Sequence, residues 1–78
     1  MRTRKELMNM THVNLALLRR LRYAKRLSRK AVGEALGKDP ITIWRYEKGR
    51  TPIKADVLFQ LAELYEASLA DLYTREEI

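Results

Sequence analysis

Cysteine is absent from the 78 residues. That removes disulfides, thiolate metal ligands and a cysteine nucleophile from consideration. The single histidine, His12, cannot build a metal site alone. Glycine occurs only three times, at Gly33, Gly37 and Gly49, and forms no glycine-rich phosphate loop. There is no paired-carboxylate constellation and no nucleophile with an identifiable base, so an enzyme is not expected. No apolar run approaches the ~20 residues that span a bilayer, and the N-terminal stretch lacks the apolar core and cleavage site of a secretory signal. These absences predict a cytoplasmic protein with no metal, no cofactor, no small-molecule substrate and no membrane partner.

What is present fits one small domain. An apolar content of 46% over 78 residues is just enough for a single core. Charge is unevenly spread. Residues 1–30 hold ten Lys or Arg against Glu6 alone, a balance of +9; residues 31–54 hold five against three, a balance of +2; residues 55–78 hold one against six, a balance of −5. Such polarity suits a molecule that turns one side to a polyanion. Taken alone, a solvated charged surface accounts for it equally well.

The stretch from Ser28 to Gly49, SRKAVGEALGKDPITIWRYEKG, is the most informative. The Ser28 hydroxyl can cap a helix that starts at Arg29. Ala31, Val32, Ala35 and Leu36 recur at helical spacing, and Gly37 can take the positive φ that ends a helix. Asp39 and Pro40 then supply a carboxylate at the N-cap and a proline at the first helical position. In the helix that follows, Ile43, Tyr46 and Glu47 share one face and Ile41, Arg45 and Lys48 the opposite one, and Gly49 stops it.

This pattern resembles the helix-turn-helix domains of phage repressors and Cro-like regulators, the Xre family. Gly33 fits the small residue where the two helices touch, Gly37 the turn glycine, Val32 and Leu36 the apolar positions of the first helix, and Ile43 and Tyr46 those of the recognition helix. The flanks match as well, through Arg20-Leu21-Arg22 before Leu27-Ser28, Glu47-Lys48-Gly49, and Ala67-Ser68-Leu69-Ala70-Asp71-Leu72; coverage runs from about Leu15 to Tyr73. The resemblance implies an all-α, compact five-helix bundle of the lambda-repressor-like type, with the helix-turn-helix in helices 2 and 3. It implies base contacts from Pro40, Ile41, Trp44 and Arg45 in the major groove of double-stranded DNA. There Arg45 can offer two parallel N–H donors to guanine, and Ile41 a partner for a thymine methyl. Trp44 either lies along a sugar–phosphate edge or packs on neighbouring helices. Phosphate contacts are implied for Arg29, at the position of a family glutamine, and expected from Thr42, Lys48, Arg50 and Thr51. The resemblance also sets Arg22 opposite Glu47 as a structural ion pair. Three departures stand out: Pro40 and Ile41 replace polar residues, Asp39 replaces a Ser or Thr cap, and Arg26 and Glu66 replace glycines at helix ends.

The remaining segments complete the expectation. Residues 1–11, with Arg2, Arg4 and Lys5, read as a flexible basic arm, either frayed or reaching a phosphate. A first helix should run from His12 or Val13 to Lys25 or Arg26, with Leu15, Leu17, Leu18, Leu21 and Ala24 inward. A fourth should run from Lys54 or Ala55 to Glu66, and a fifth from Leu69 to Tyr73, capped by Ser68 and Asp71. The domain would occupy residues 12–74, followed by a short tail, 75–78. Leu72, Tyr73 and Ile78 are candidates for a contact in a homodimer, with burial inside the monomer as the rival for Leu69 and Leu72. Two functions remain open. One is a sequence-specific transcriptional regulator, a repressor that binds an inverted repeat as a homodimer. The other is an antitoxin-like or regulator-binding module that keeps the fold for a protein partner.

Overall fold

A computed structural model describes residues 11–75 of the chain. Of the expected arm (1–11) and tail (75–78), residues 1–10 and 76–78, with Ile78, lie outside the described residues, while Thr11 and Arg75 fall in strands. The order is strand β1 (Thr11–Val13), helices α1 (Leu15–Ala24), α2 (Arg29–Leu36), α3 (Pro40–Glu47) and α4 (Ala55–Tyr65), a single 3₁₀ turn (Ala70–Leu72), and strand β2 (Tyr73–Arg75).

Two expectations are corrected here. The first helix does not begin at His12 or Val13. Asn14 is its cap, with its side-chain oxygen accepting from the Leu17 N–H at 3.1 Å, and Thr11–Val13 is a strand instead. Asparagine caps at least as well as threonine, and Thr and Val favour extended backbone. The five-helix count also fails. Ser68 does cap, accepting from the Asp71 N–H at 3.2 Å, but only one 3₁₀ turn follows. Tyr73 leaves it with φ −102° and ψ 143° to pair antiparallel with β1, Val13 opposite Tyr73 and Thr11 opposite Arg75. The Asn14 N–H donates to the Leu72 carbonyl at 2.7 Å, tying the two ends of the domain together. The architecture of the described residues is therefore four helices, a 3₁₀ turn and a two-stranded ladder.

The core gathers one stripe from each helix: Leu18 from α1, Val32 from α2, Ile43 and Tyr46 from α3, and Val57, Leu58, Leu61, Ala62 and Tyr65 from α4. Leu72 closes it at 0% exposure, so it is a core residue and not a free dimer contact, whereas Leu69 and Tyr73 are exposed. Leu18 and Leu58 are almost wholly buried, each stabilising the fold by about 2 kcal/mol. Ala24, expected inward, faces solvent.

All four helices end in the same way. A residue with left-handed backbone stands at the cap (Gly37, Glu66) or directly after it (Arg26, Gly49), and the next N–H reaches back to a carbonyl of the last turn: Leu27 to Arg22 at 3.1 Å, Lys38 to Gly33 at 2.8 Å, Arg50 to Arg45 at 2.9 Å, and Ala67 to Ala62 at 2.9 Å. Gly37 and Gly49 supply two of the left-handed positions, but Arg26 (φ 55°) and Glu66 (φ 56°) supply the others. Arginine and glutamate at these two positions leave the cap geometry intact, with the strain carried by two L-residues.

Candidate nucleic-acid interface

Helices α2 and α3 are joined by the three residues Gly37, Lys38 and Asp39. Ser28 caps α2, its Oγ accepting from the Ala31 N–H at 3.0 Å. Gly33, buried on α2, is where the turn comes closest: a Cβ there would collide with the Lys38 carbonyl oxygen and lie 3.4 Å from the Asp39 carbonyl carbon. Asp39 occupies the N-cap of α3 but makes no side-chain cap bond. Its own backbone carbonyl accepts from the Thr42 N–H at 3.0 Å, and Pro40 has no N–H to offer.

The orientation of α3 is fixed by a buried ion cluster. Arg22 Nε donates to Glu47 Oε2 at 2.7 Å and its terminal nitrogen to Oε1 at 3.2 Å, while its other nitrogen donates to the Leu27 carbonyl at 3.0 Å. Arg22 and Glu47 are 4% and 5% exposed. Hydrogen bonding to Glu47 raises the Arg22 pKa further above its ordinary value, outweighing burial. Arg29 joins from α2, its Nε donating to Glu47 Oε1 at 3.1 Å. One carboxylate thus ties α1, α2 and α3. The spacing of residues alone placed Arg29 only at a helix start; nothing local in the sequence announces that it reaches Glu47.

The opposite face of α3 is free. Ile41, Arg45 and Lys48 are exposed, Pro40 is exposed at the first helical position, and Trp44 and Thr42 are half-buried. Ile41, Trp44, Arg45 and Lys48 follow one another at helical spacing, a stripe that a groove can meet. Gly49 (φ 71°) then reverses the chain, and the Arg50 guanidinium lies over the Trp44 ring, 5.2 Å from its centroid. Sequence reasoning missed this pairing, although a helix-ending glycine predicts that the next residue folds back on the last turn. Thr51 stands apart from the stripe, half-buried in a shallow apolar depression with Val13, Leu15, Tyr46, Ile53 and Tyr73.

Glu34 and Asp39 are exposed within the helix-turn-helix, but four other acidic residues lie outside it. Asp56, Glu63 and Glu66 are exposed on α4 or at its end, and Asp71 in the 3₁₀ turn. Glu66 is held below the usual carboxylate range by Lys25, whose Nζ lies 2.8 Å from its Oε2. Among the described residues no group of three His, Asp or Glu is placed to hold a metal, and no helix is long and apolar enough to cross a membrane.

A family model described as a helix-turn-helix domain matches residues 15–73. No curated protein and no solved structure matches the chain. The matched span takes in all four helices, the turn between α2 and α3 and the whole outward stripe of α3; the chain belongs to the helix-turn-helix domain family, a family of DNA-binding domains.

Proposed function

We propose that this chain is a sequence-specific transcriptional regulator of the Xre or Cro-like kind, acting in the cytoplasm on double-stranded DNA. It lays α3 in the major groove and represses by occupying a promoter, without catalysis. Arg45 reads a guanine, Ile41 a thymine methyl, and Pro40 makes shape contacts. Arg29, Thr42, Lys48 and Arg50 face phosphates, each cationic contact steepening the salt dependence by about 0.9 in log–log slope, while Thr51, turned into the apolar depression, is left out of the contact set. Two copies bind an inverted repeat with half-sites about 34 Å apart.

The observation that carries this reading is the division of α3: Glu47 anchors one face in the core, while Arg45 and its neighbours stand exposed on the other. A second reading, a protein-interaction module of antitoxin or regulator-binding type, is favoured by Ile41, which is 51% exposed at a position where a polar reader would be more usual.

Selection of bound duplexes from a random library, with Arg45→Ala in parallel, separates the two. An enriched inverted repeat containing a guanine whose preference relaxes in the variant supports dimeric readout anchored on Arg45. Absence of any enriched sequence overturns specific DNA recognition and directs attention to protein partners.

A further inference from the structure

Arg50 has its backbone and its side chain both held before any ligand arrives. Its N–H donates to the Arg45 carbonyl at 2.9 Å, and its guanidinium lies over the Trp44 ring at 5.2 Å, within cation–π range. We propose that Trp44 is a positioning residue for the phosphate backbone: it acts through Arg50, as a platform that holds the guanidinium over its ring, and does not itself read a base. This rests on the DNA-binding function proposed above.

The geometry favours the assignment in three ways. Trp44 is half-buried on α3, so its ring is a stiff surface. A guanidinium stacked on a ring uses its π-face, which leaves its in-plane N–H donors available, and these are what match two phosphate oxygens. An arginine side chain free in solvent loses rotamer freedom when it grips a phosphate; one already stacked has lost part of it, so less affinity is forfeited on binding.

The probe is a fluorescein-labelled pool of randomised duplexes, titrated by anisotropy over a range of salt concentrations. In a random pool direct base reading averages out, whereas a phosphate clamp persists. Trp44→Leu is expected to weaken binding by about three- to tenfold and to flatten the salt slope part of the way towards that of Arg50→Ala, which loses about 0.9. In the Arg50→Ala background the same Trp44→Leu change should cost less than about twofold, because the platform has nothing left to hold. Trp44→Phe, which retains an aromatic face, should recover most of the loss. Circular dichroism of each variant reports whether it is folded; if Trp44→Leu is not, Trp44→Met, also apolar but without an aromatic face, takes its place in the cycle with the same expected outcomes.

Additive effects of Trp44→Leu and Arg50→Ala would overturn the proposal, as would wild-type affinity of Trp44→Leu for the random pool, since Trp44 would then be reading bases or merely packing. A wild-type protein that binds no duplex at all would instead bring down the DNA-binding reading itself, an outcome distinct from the other two.

Discussion

Removing one partner of the buried ion cluster should cost very different amounts depending on which partner goes. Glu47→Leu leaves the Arg22 guanidinium 4% exposed with only the Leu27 carbonyl at 3.0 Å to receive its donors. A guanidinium cannot shed its charge in a protein, so the stranded cation should cost about 3 to 5 kcal/mol. Arg22→Met leaves the carboxylate with Arg29 Nε at 3.1 Å, and a carboxylate, unlike a guanidinium, can be neutralised by a proton. Three charge-assisted bonds are still lost, two to Glu47 and one to the Leu27 carbonyl, and with Arg29 left to hold the carboxylate about 2 to 3 kcal/mol is expected. The double variant, Arg22→Met with Glu47→Leu, buries apolar groups of similar size and should fall within about 1 kcal/mol of the wild type. Stability in this 78-residue chain is about 4 to 12 kcal/mol, so Glu47→Leu approaches the point of unfolding while the double variant does not. Urea titration followed by circular dichroism in the cold gives all four corners of the cycle. Additivity of the two changes, or a greater loss from Arg22→Met than from Glu47→Leu, would refute the reasoning.

Four further perturbations have defined signs. Gly33→Ala gains about 1 kcal/mol in helix propensity but drives a methyl into the Lys38 carbonyl oxygen, and overpacking against backbone costs about 1 to 3 kcal/mol. The net result should be a lower urea midpoint, with DNA affinity falling further than the unfolded fraction explains. Arg26→Gly should raise the melting temperature by about 2 to 8 °C, because it relieves an L-residue held at φ 55° at a smaller cost in unfolded-chain entropy. Gly37→Ala, at φ 69° with open space around its Cβ, should lower it through backbone strain alone. Burial, aided by the Glu47 charge, pushes the Tyr65 hydroxyl up from 10.0 to about 12. In that interval the unfolded chain releases this proton and the folded chain retains it. Stability is therefore unaffected by Tyr65 below about pH 10 and falls by about 2 to 3 kcal/mol as pH rises to about 12. Urea midpoints across this range should decline less steeply in Tyr65→Phe than in the wild type.

The parts of the fold that sequence reveals are those decided within a turn or two of chain. Ser28, Gly37 and the Asp39-Pro40 pair mark the helix boundaries because capping, left-handed backbone and a missing N–H are local properties. The two faces of α3 separate cleanly because helical periodicity sorts Ile43, Tyr46 and Glu47 from Ile41, Arg45 and Lys48 without reference to anything distant. The ladder escaped notice for the opposite reason. Three residues at each end of the domain form it, too few for a period-2 pattern to register, and their pairing depends on the whole bundle bringing Thr11 beside Arg75. Arg26 and Glu66 show tertiary structure overriding a local preference, since both hold a conformation that favours glycine. Asp39 shows the converse: its position as N-cap was legible, but its side chain makes no cap bond, and its backbone carbonyl takes the Thr42 N–H instead.

The same division explains why the scaffold is easier to read than the specificity. Every group that orients α3 has a partner that constrains it: Glu47 bonds two arginines, Gly33 leaves room for a carbonyl, and Tyr46 and Ile43 are packed in the core. Changing any of them disturbs stability, so their chemistry follows from the fold. Pro40, Ile41 and Arg45 are exposed, so replacing them should cost folding little, and on the DNA-binding reading proposed above it would change what α3 recognises. Arg29 lies between the two regimes: its side chain is 34% exposed and that of the carboxylate it holds only 3%. Its bond to Glu47 therefore contributes less to stability than the wholly buried Arg22 pair, and its wet edge faces outward from the cluster that fixes α3. Orientation is thus set chiefly by Arg22, which leaves Arg29 able to meet an anion without loosening the helix that would read the bases beside it.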